Sequence, residues 1–113
     1  MTATITDHFM QRTLALAKVY SVVILRQGPK WDQPNRDKII WEHGRRNFQL
    51  RADGVLAIVC PVSDAGDVKG IGIFNATVEE TNRIMKDDPG VRADVFVYET
   101  HLCRGFPGDA LPR

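Results

Sequence analysis

The chain has no long apolar run, no surplus of either charge and almost no cysteine. Its longest uninterrupted apolar stretch, Val55–Cys60, is about six residues, far short of the ~20 that a membrane-spanning helix needs. No membrane partner is expected. Fifteen Lys and Arg against fourteen Asp and Glu leave a net charge of +1, which excludes the strongly basic footprint of a sequence-independent nucleic-acid binder. The two cysteines, Cys60 and Cys103, have no C-x-x-C partner and close one bridge at most. They are expected as reduced thiols of a cytoplasmic protein. The opening residues, Met1–His8, lack a basic region and a continuous apolar core, unlike a secretory signal. His101-x-Cys103 is too short and isolated to define a metal site, and His8 has no fixed relation to it, so no metal is expected. Gly70-Ile71-Gly72 follows no strand-to-helix turn, no G-x-S-x-G elbow is present, and no cofactor is implied.

What is present is an ordinary globular composition, 43% apolar and 26% charged over 113 residues, which is one domain's worth. Residues 1–18 read as an N-terminal helical extension in which Phe9, Met10, Leu14, Leu16 and Ala17 have amphipathic spacing behind the candidate N-caps Thr6 and Asp7. Residues 19–102 form the expected core. Val19–Leu25 is a β-branched apolar strand, stopped by Gly28-Pro29. A long helix runs from Arg36 to Ala52 up to the turn Asp53-Gly54, with Ile39, Ile40, Trp41, Gly44, Phe48 and Leu50 on one arc. Arg45 and Arg46 fall on the opposite arc, as part of a solvated face. Val55–Val62 and Lys69–Asn75 are two further strands. Thr77 and Glu80 make a capping box for a helix that ends by Asp88, ahead of Pro89. Asp94–Leu102 is the last strand, and 103–113 an irregular tail. The β-α-β-β-α-β order predicts an α+β, ferredoxin-like sandwich: a four-stranded antiparallel sheet with two helices on one face.

Two positions stand out as candidates for chemistry. His43 lies inside the apolar arc of the long helix, where an imidazole needs partners for its nitrogens. It is either a satisfied structural histidine or an acid–base group in a pocket between helix and sheet. Asp87 and Asp88 close the second helix against its dipole. They are either an exposed acidic turn or a site placed there for function.

These residues together resemble the YciI-like (YCII-related) family over roughly 19–102. The resemblance is carried by Arg26-Gln27-Gly28-Pro29-Lys30-Trp31, Glu42-His43, Lys69-Gly70-Ile71 and Asp87-Asp88-Pro89-Gly90-Val91. The chain departs from the family at Val59-Cys60-Pro61, Ala93-Asp94 and Leu102-Cys103, where small-Gly-Pro, Ala-Gly and Pro-Trp are usual. The resemblance implies a dimeric α/β-barrel type of ferredoxin-like fold. It also implies a His–Asp pair in a pocket, mapping onto His43 and Asp88.

The reading that follows is a cofactor-independent enzyme for a small anionic or aromatic metabolite. His43 and Asp88 would be catalytic, in isomerase, lactone or dehalogenation chemistry. Arg26 would bind a substrate carboxylate, and Trp31 would supply an apolar wall or lid. Arg26 reads equally as a surface charge and Trp31 as a loop anchor. The alternative function is a non-catalytic binding or assembly module whose dyad fixes helix positions. A homodimer is expected, because two helices cover one face of a sheet whose strands are apolar on both.

Overall fold

The computed structural model describes residues 3–113. Its elements are α1 (Asp7–Ala15), β1 (Lys18–Gln27), α2 (Arg36–Ala52), β2 (Leu56–Pro61), β3 (Val68–Phe74), α3 (Val78–Lys86), α4 (Pro89–Arg92) and β4 (Phe96–Gly105). The four strands form one antiparallel sheet in the order β2-β3-β1-β4. This is the ferredoxin-like α+β arrangement. Among the described residues no helix is long and apolar enough to cross a membrane.

Side chains alternate across the sheet. Ser21, Val23 and Leu25 of β1 are buried on the helix side, in register with Phe74, Gly72 and Gly70 of β3 and with Leu102, Thr100 and Tyr98 of β4. Val23, Leu25, Leu56, Phe74, Met85, Val95 and Phe96 make the core, with Ile39, Ile40 and Leu50 of α2 packed against it. Val22, Ile24 and Arg26 point to the other face, opposite Ile73, Ile71 and Val68 on one side and His101, Glu99 and Val97 on the other. No described element covers that face. Ile71 and Val97 are exposed on it.

Three expectations change. The tail is not irregular from 103: Cys103, Arg104 and Gly105 continue β4 and pair with Tyr20, Val19 and Lys18. The whole ten-residue length of β1 thereby has partners for its backbone groups. Pro89 does not simply end a helix. It opens the short α4 at the first helical position, behind Asp88 as N-cap. On α2, Trp41 and Phe48 are exposed rather than buried, because the helix turns only the arc of Ile39, His43 and Leu50 toward the sheet. The expected N-terminal helix is α1, which buries none of its residues. Thr6 caps it, its Oγ1 accepting from the Phe9 N–H at 3.0 Å, yet Phe9, Met10, Leu14 and Leu16 all stay exposed. The described molecule measures 55 × 32 × 23 Å.

Asp94 adopts φ +59°, the left-handed region that Asp tolerates better than most residues with a side chain. This is the position where Gly is usual in the family that the sequence resembles.

Candidate active site

His43 and Asp88 meet. The imidazole Nδ1–H donates to Asp88 Oδ1 at 2.7 Å. The Asp88 side chain is 0% exposed and that of His43 12%. Asp88 Oδ2 accepts from the backbone N–H groups of Gly90 (2.9 Å) and Val91 (3.2 Å). The carboxylate is therefore not set against a dipole, as its position after α3 suggests. It caps the N-terminus of α4, where the partial positive charge and free N–H groups favour an anion. Asp87, its exposed neighbour, is the C-cap residue of α3.

Local packing fixes this geometry. Gly90 is required because a Cβ there would lie 2.3 Å from Phe96 Cδ2. Its absence lets α4 press against the Phe96 ring. That ring in turn stacks at a tilt on His43, with centroids 4.8 Å apart, and on Trp31 at 5.9 Å.

The other ring nitrogen of His43 also has a partner: Asn47 Nδ2–H donates to Nε2 at 3.1 Å. Arg46 Nη1 stands 3.8 Å from Asp88 Oδ1 and is itself buried without a hydrogen bond. Neither residue stands out in the sequence as part of a site. They follow His43 by three and four positions, and such residues share a helix face. That spacing was the available signal, and it outweighs a whole-helix polar arc that places Arg46 in solvent.

Beside this network a cleft of about 200 Å³ opens between α2 and the sheet, reached by His43, Asn47, Lys69 and Phe96 and floored by Gly70 and Gly72. Their lack of side chains makes the room: a Cβ on Gly72 would come within 3.1 Å of Leu56 Cδ1. An apolar cavity of roughly 150 Å³ is enough to hold benzene. This cleft therefore suits one six-membered ring with small substituents.

The structure does not bring Arg26 to the cleft. Being of even parity on β1, it lies on the uncovered face, where Nε donates to Glu99 Oε1 at 3.1 Å and Nη1 approaches Asp67 Oδ1 at 3.4 Å. Trp31 packs against the core, with the Arg36 guanidinium 4.7 Å and the Lys69 ammonium 5.1 Å from its ring centre. Lys69 arrives there because the β1–β3 register skips it, Leu25 pairing with Gly70 and Arg26 with Val68.

His101 and Cys103 do not join this site. His101 bonds Glu99 on the opposite face, and among the described residues no three His, Cys, Asp or Glu side chains converge to hold a metal ion.

No protein-family model matches the chain, and no curated protein does. A solved structure that it resembles is 5-chloro-2-hydroxyhydroquinone dehydrochlorinase from Burkholderia phenoliruptrix AC1100, in complex with 2,5-dihydroxybenzoquinone. The likeness covers 78% of this chain and 95% of that one, at 18% identity and a TM-score of 0.48.

Proposed function

We propose that this chain is a small, cofactor-independent YciI-like enzyme in which His43 moves a proton on a single-ring or anionic metabolite. The observation that carries the reading is the 2.7 Å bond from His43 Nδ1 to a carboxylate that is itself immobilised by two backbone N–H groups. Asp88 holds the ring as the Nδ1–H tautomer and stabilises the imidazolium that forms when Nε2 takes a proton. Nε2 acts as the base at the edge of the cleft once substrate displaces the Asn47 amide that donates to it. It removes a proton from a substrate carbon and returns it to another atom of the same molecule, which is an isomerisation or lactone rearrangement. Where a halide leaves with its bonding pair, the proton passes to water instead. Lys69 takes the role expected of Arg26, offering a cation to an acidic substituent. Trp31 holds that lysine and Phe96 in place.

We read the uncovered sheet face as the surface where a second copy packs, since Val22, Ile24, Ile71, Ile73 and Val97 otherwise face water.

The test is turnover of a panel of single-ring acids, unsaturated lactones and chlorinated hydroxyhydroquinones, followed by absorbance and chloride release. His43→Gln is expected to lower the rate of the active member about 10²–10⁴-fold, with weaker effects on KM. Equal turnover by His43→Gln overturns the assignment. Binding without turnover by either protein favours the binding-module reading, which the hold of Asn47 on Nε2 would then explain.

A further inference from the structure

The helix that buries nothing and the helix that keeps two aromatics in water are complementary. On α2, a groove is lined by Asp37, Ile40, Trp41, Gly44, Arg45 and Phe48. Trp41 is 69% and Phe48 52% exposed. Asp37, Trp41, Gly44 and Phe48 follow one another at steps of four, three and four, the spacing of a helix–helix seam. At the middle of the seam Gly44 has nothing within 4 Å of where a Cβ would stand. A mid-helix glycine costs roughly 1 kcal/mol relative to alanine, and no neighbour in this protomer takes the space a side chain would fill. It leaves a notch through which another backbone can approach.

The α1 helix has the matching shape. Phe9 and Thr13, and beside them Met10 and Leu14, repeat at steps of four, and the exposed Leu16 follows as C-cap. Asp7 opens the helix and Arg12 lies in its last turn. Laid antiparallel on the groove with Met10 over Trp41, α1 brings Asp7, at the edge of its apolar face, toward Arg45, a pair of opposite charge. The antiparallel alignment also opposes the two helix dipoles. Arg45 Nε already contacts Glu42 at 3.1 Å, so the added carboxylate joins an existing ion pair.

We infer that α1 docks in the α2 groove of a second copy of this chain. The contact is self-complementary, each copy giving a helix and a groove, as an isologous interface requires. It is separate from the uncovered sheet face and does not depend on the catalytic reading.

The experiment uses the full chain with Cys60 and Cys103 replaced by serine. One preparation carries Met10→Cys, the α1 position that this alignment sets over Trp41, and is ¹⁵N-labelled; the other carries Trp41→Cys and is unlabelled. After mixing and mild oxidation, mass spectrometry is expected to find a disulfide between the two introduced thiols. It joins the labelled α1 peptide to the unlabelled α2 peptide, in a species of twice the 12.7 kDa protomer mass. Separately, Leu14→Glu and Trp41→Glu change exposed residues, and each is expected to lower the light-scattering mass. Restoration by pairing Asp7→Arg with Arg45→Asp, after each alone has weakened assembly, is the further expected result. Three results each overturn the inference: no mixed disulfide, a disulfide formed only within one chain of a Met10→Cys, Trp41→Cys double variant, or a mass unmoved by both glutamates.

Discussion

The molecule contains two histidine–carboxylate pairs of nearly the same length on opposite faces of one sheet. His43 reaches Asp88 at 2.7 Å and His101 reaches Glu99 at 2.8 Å. Everything else about them differs. Asp88 is fully buried and saturated by backbone donors, whereas the His101 and Glu99 side chains are 55% and 42% exposed. A hydrogen-bond length therefore says little about a site. What separates the pairs is desolvation, a rigid second layer of donors, and a cavity beside the histidine's other ring nitrogen.

The comparison breaks most visibly on removal of each carboxylate. Asp88→Ala leaves the half-buried Arg46 and His43 without their anion and uncaps α4. It is expected to cost about 3–5 kcal/mol, as when one partner of a buried pair is lost, measured by urea denaturation. Glu99→Ala is expected to leave the midpoint nearly unchanged, because exposed pairs contribute little. If the two variants unfold alike, burial is not what distinguishes the pairs.

A smaller effect is expected at the packing that holds the buried pair. Gly90→Ala drives a methyl into Phe96, and overpacking of this kind costs about 1–3 kcal/mol. The same measurement checks it, and the upfield ring-current shifts of His43 protons are expected to change with it.

The tautomers sharpen the contrast without any change in stability. His43 bonds its carboxylate through Nδ1 and His101 through Nε2. Long-range ¹H–¹⁵N spectra of the neutral rings should therefore show a Nδ1–H imidazole at His43 and a Nε2–H imidazole at His101. Two Nε2–H rings would refute the orientation of the buried pair.

The smallest effect is the pH dependence of the exposed pair. The hydrogen bond from His101, then that from Arg26, hold the Glu99 carboxyl below its ordinary value of 4.5. A carboxyl lowered on folding adds stability above the unfolded value and loses it as the pH falls through the folded one. Glu99→Gln should therefore flatten the acid limb of the stability profile slightly, below about pH 4.5 and only at low salt. A change on the neutral side would contradict that assignment.

The fold was legible because hydrophobic periodicity switches cleanly along the chain, from Val19–Leu25 to the 3.6-residue pattern of 36–52 and back. Its edges were less so. Pairing with β1, a long-range property, carries β4 on to Gly105. In Asp88-Pro89 the proline reads as a terminator, although Asp followed by Pro is also how a new helix begins. The inward place of His43 was readable from the helix wheel, and its joining to Asp88 came from the resemblance. Arg26 could not be placed without the strand's parity, which turns it to the same side as Val22 and Ile24. Lys69 reaches the cleft only through a register slip that no local pattern announces.

Gly44 belongs both to the cleft of His43 and to the groove of Trp41, as do Ile40 and Phe48, so the two adjoin along α2. Given the docking inferred above, any effect that occupancy of one has on the other is reciprocal. If a bound metabolite shifts α2 so as to tighten subunit association by some factor, association must tighten metabolite binding by that same factor. Apparent affinity for a small ligand would then rise or fall with protein concentration, and a titration repeated at two dilutions would read the coupling directly.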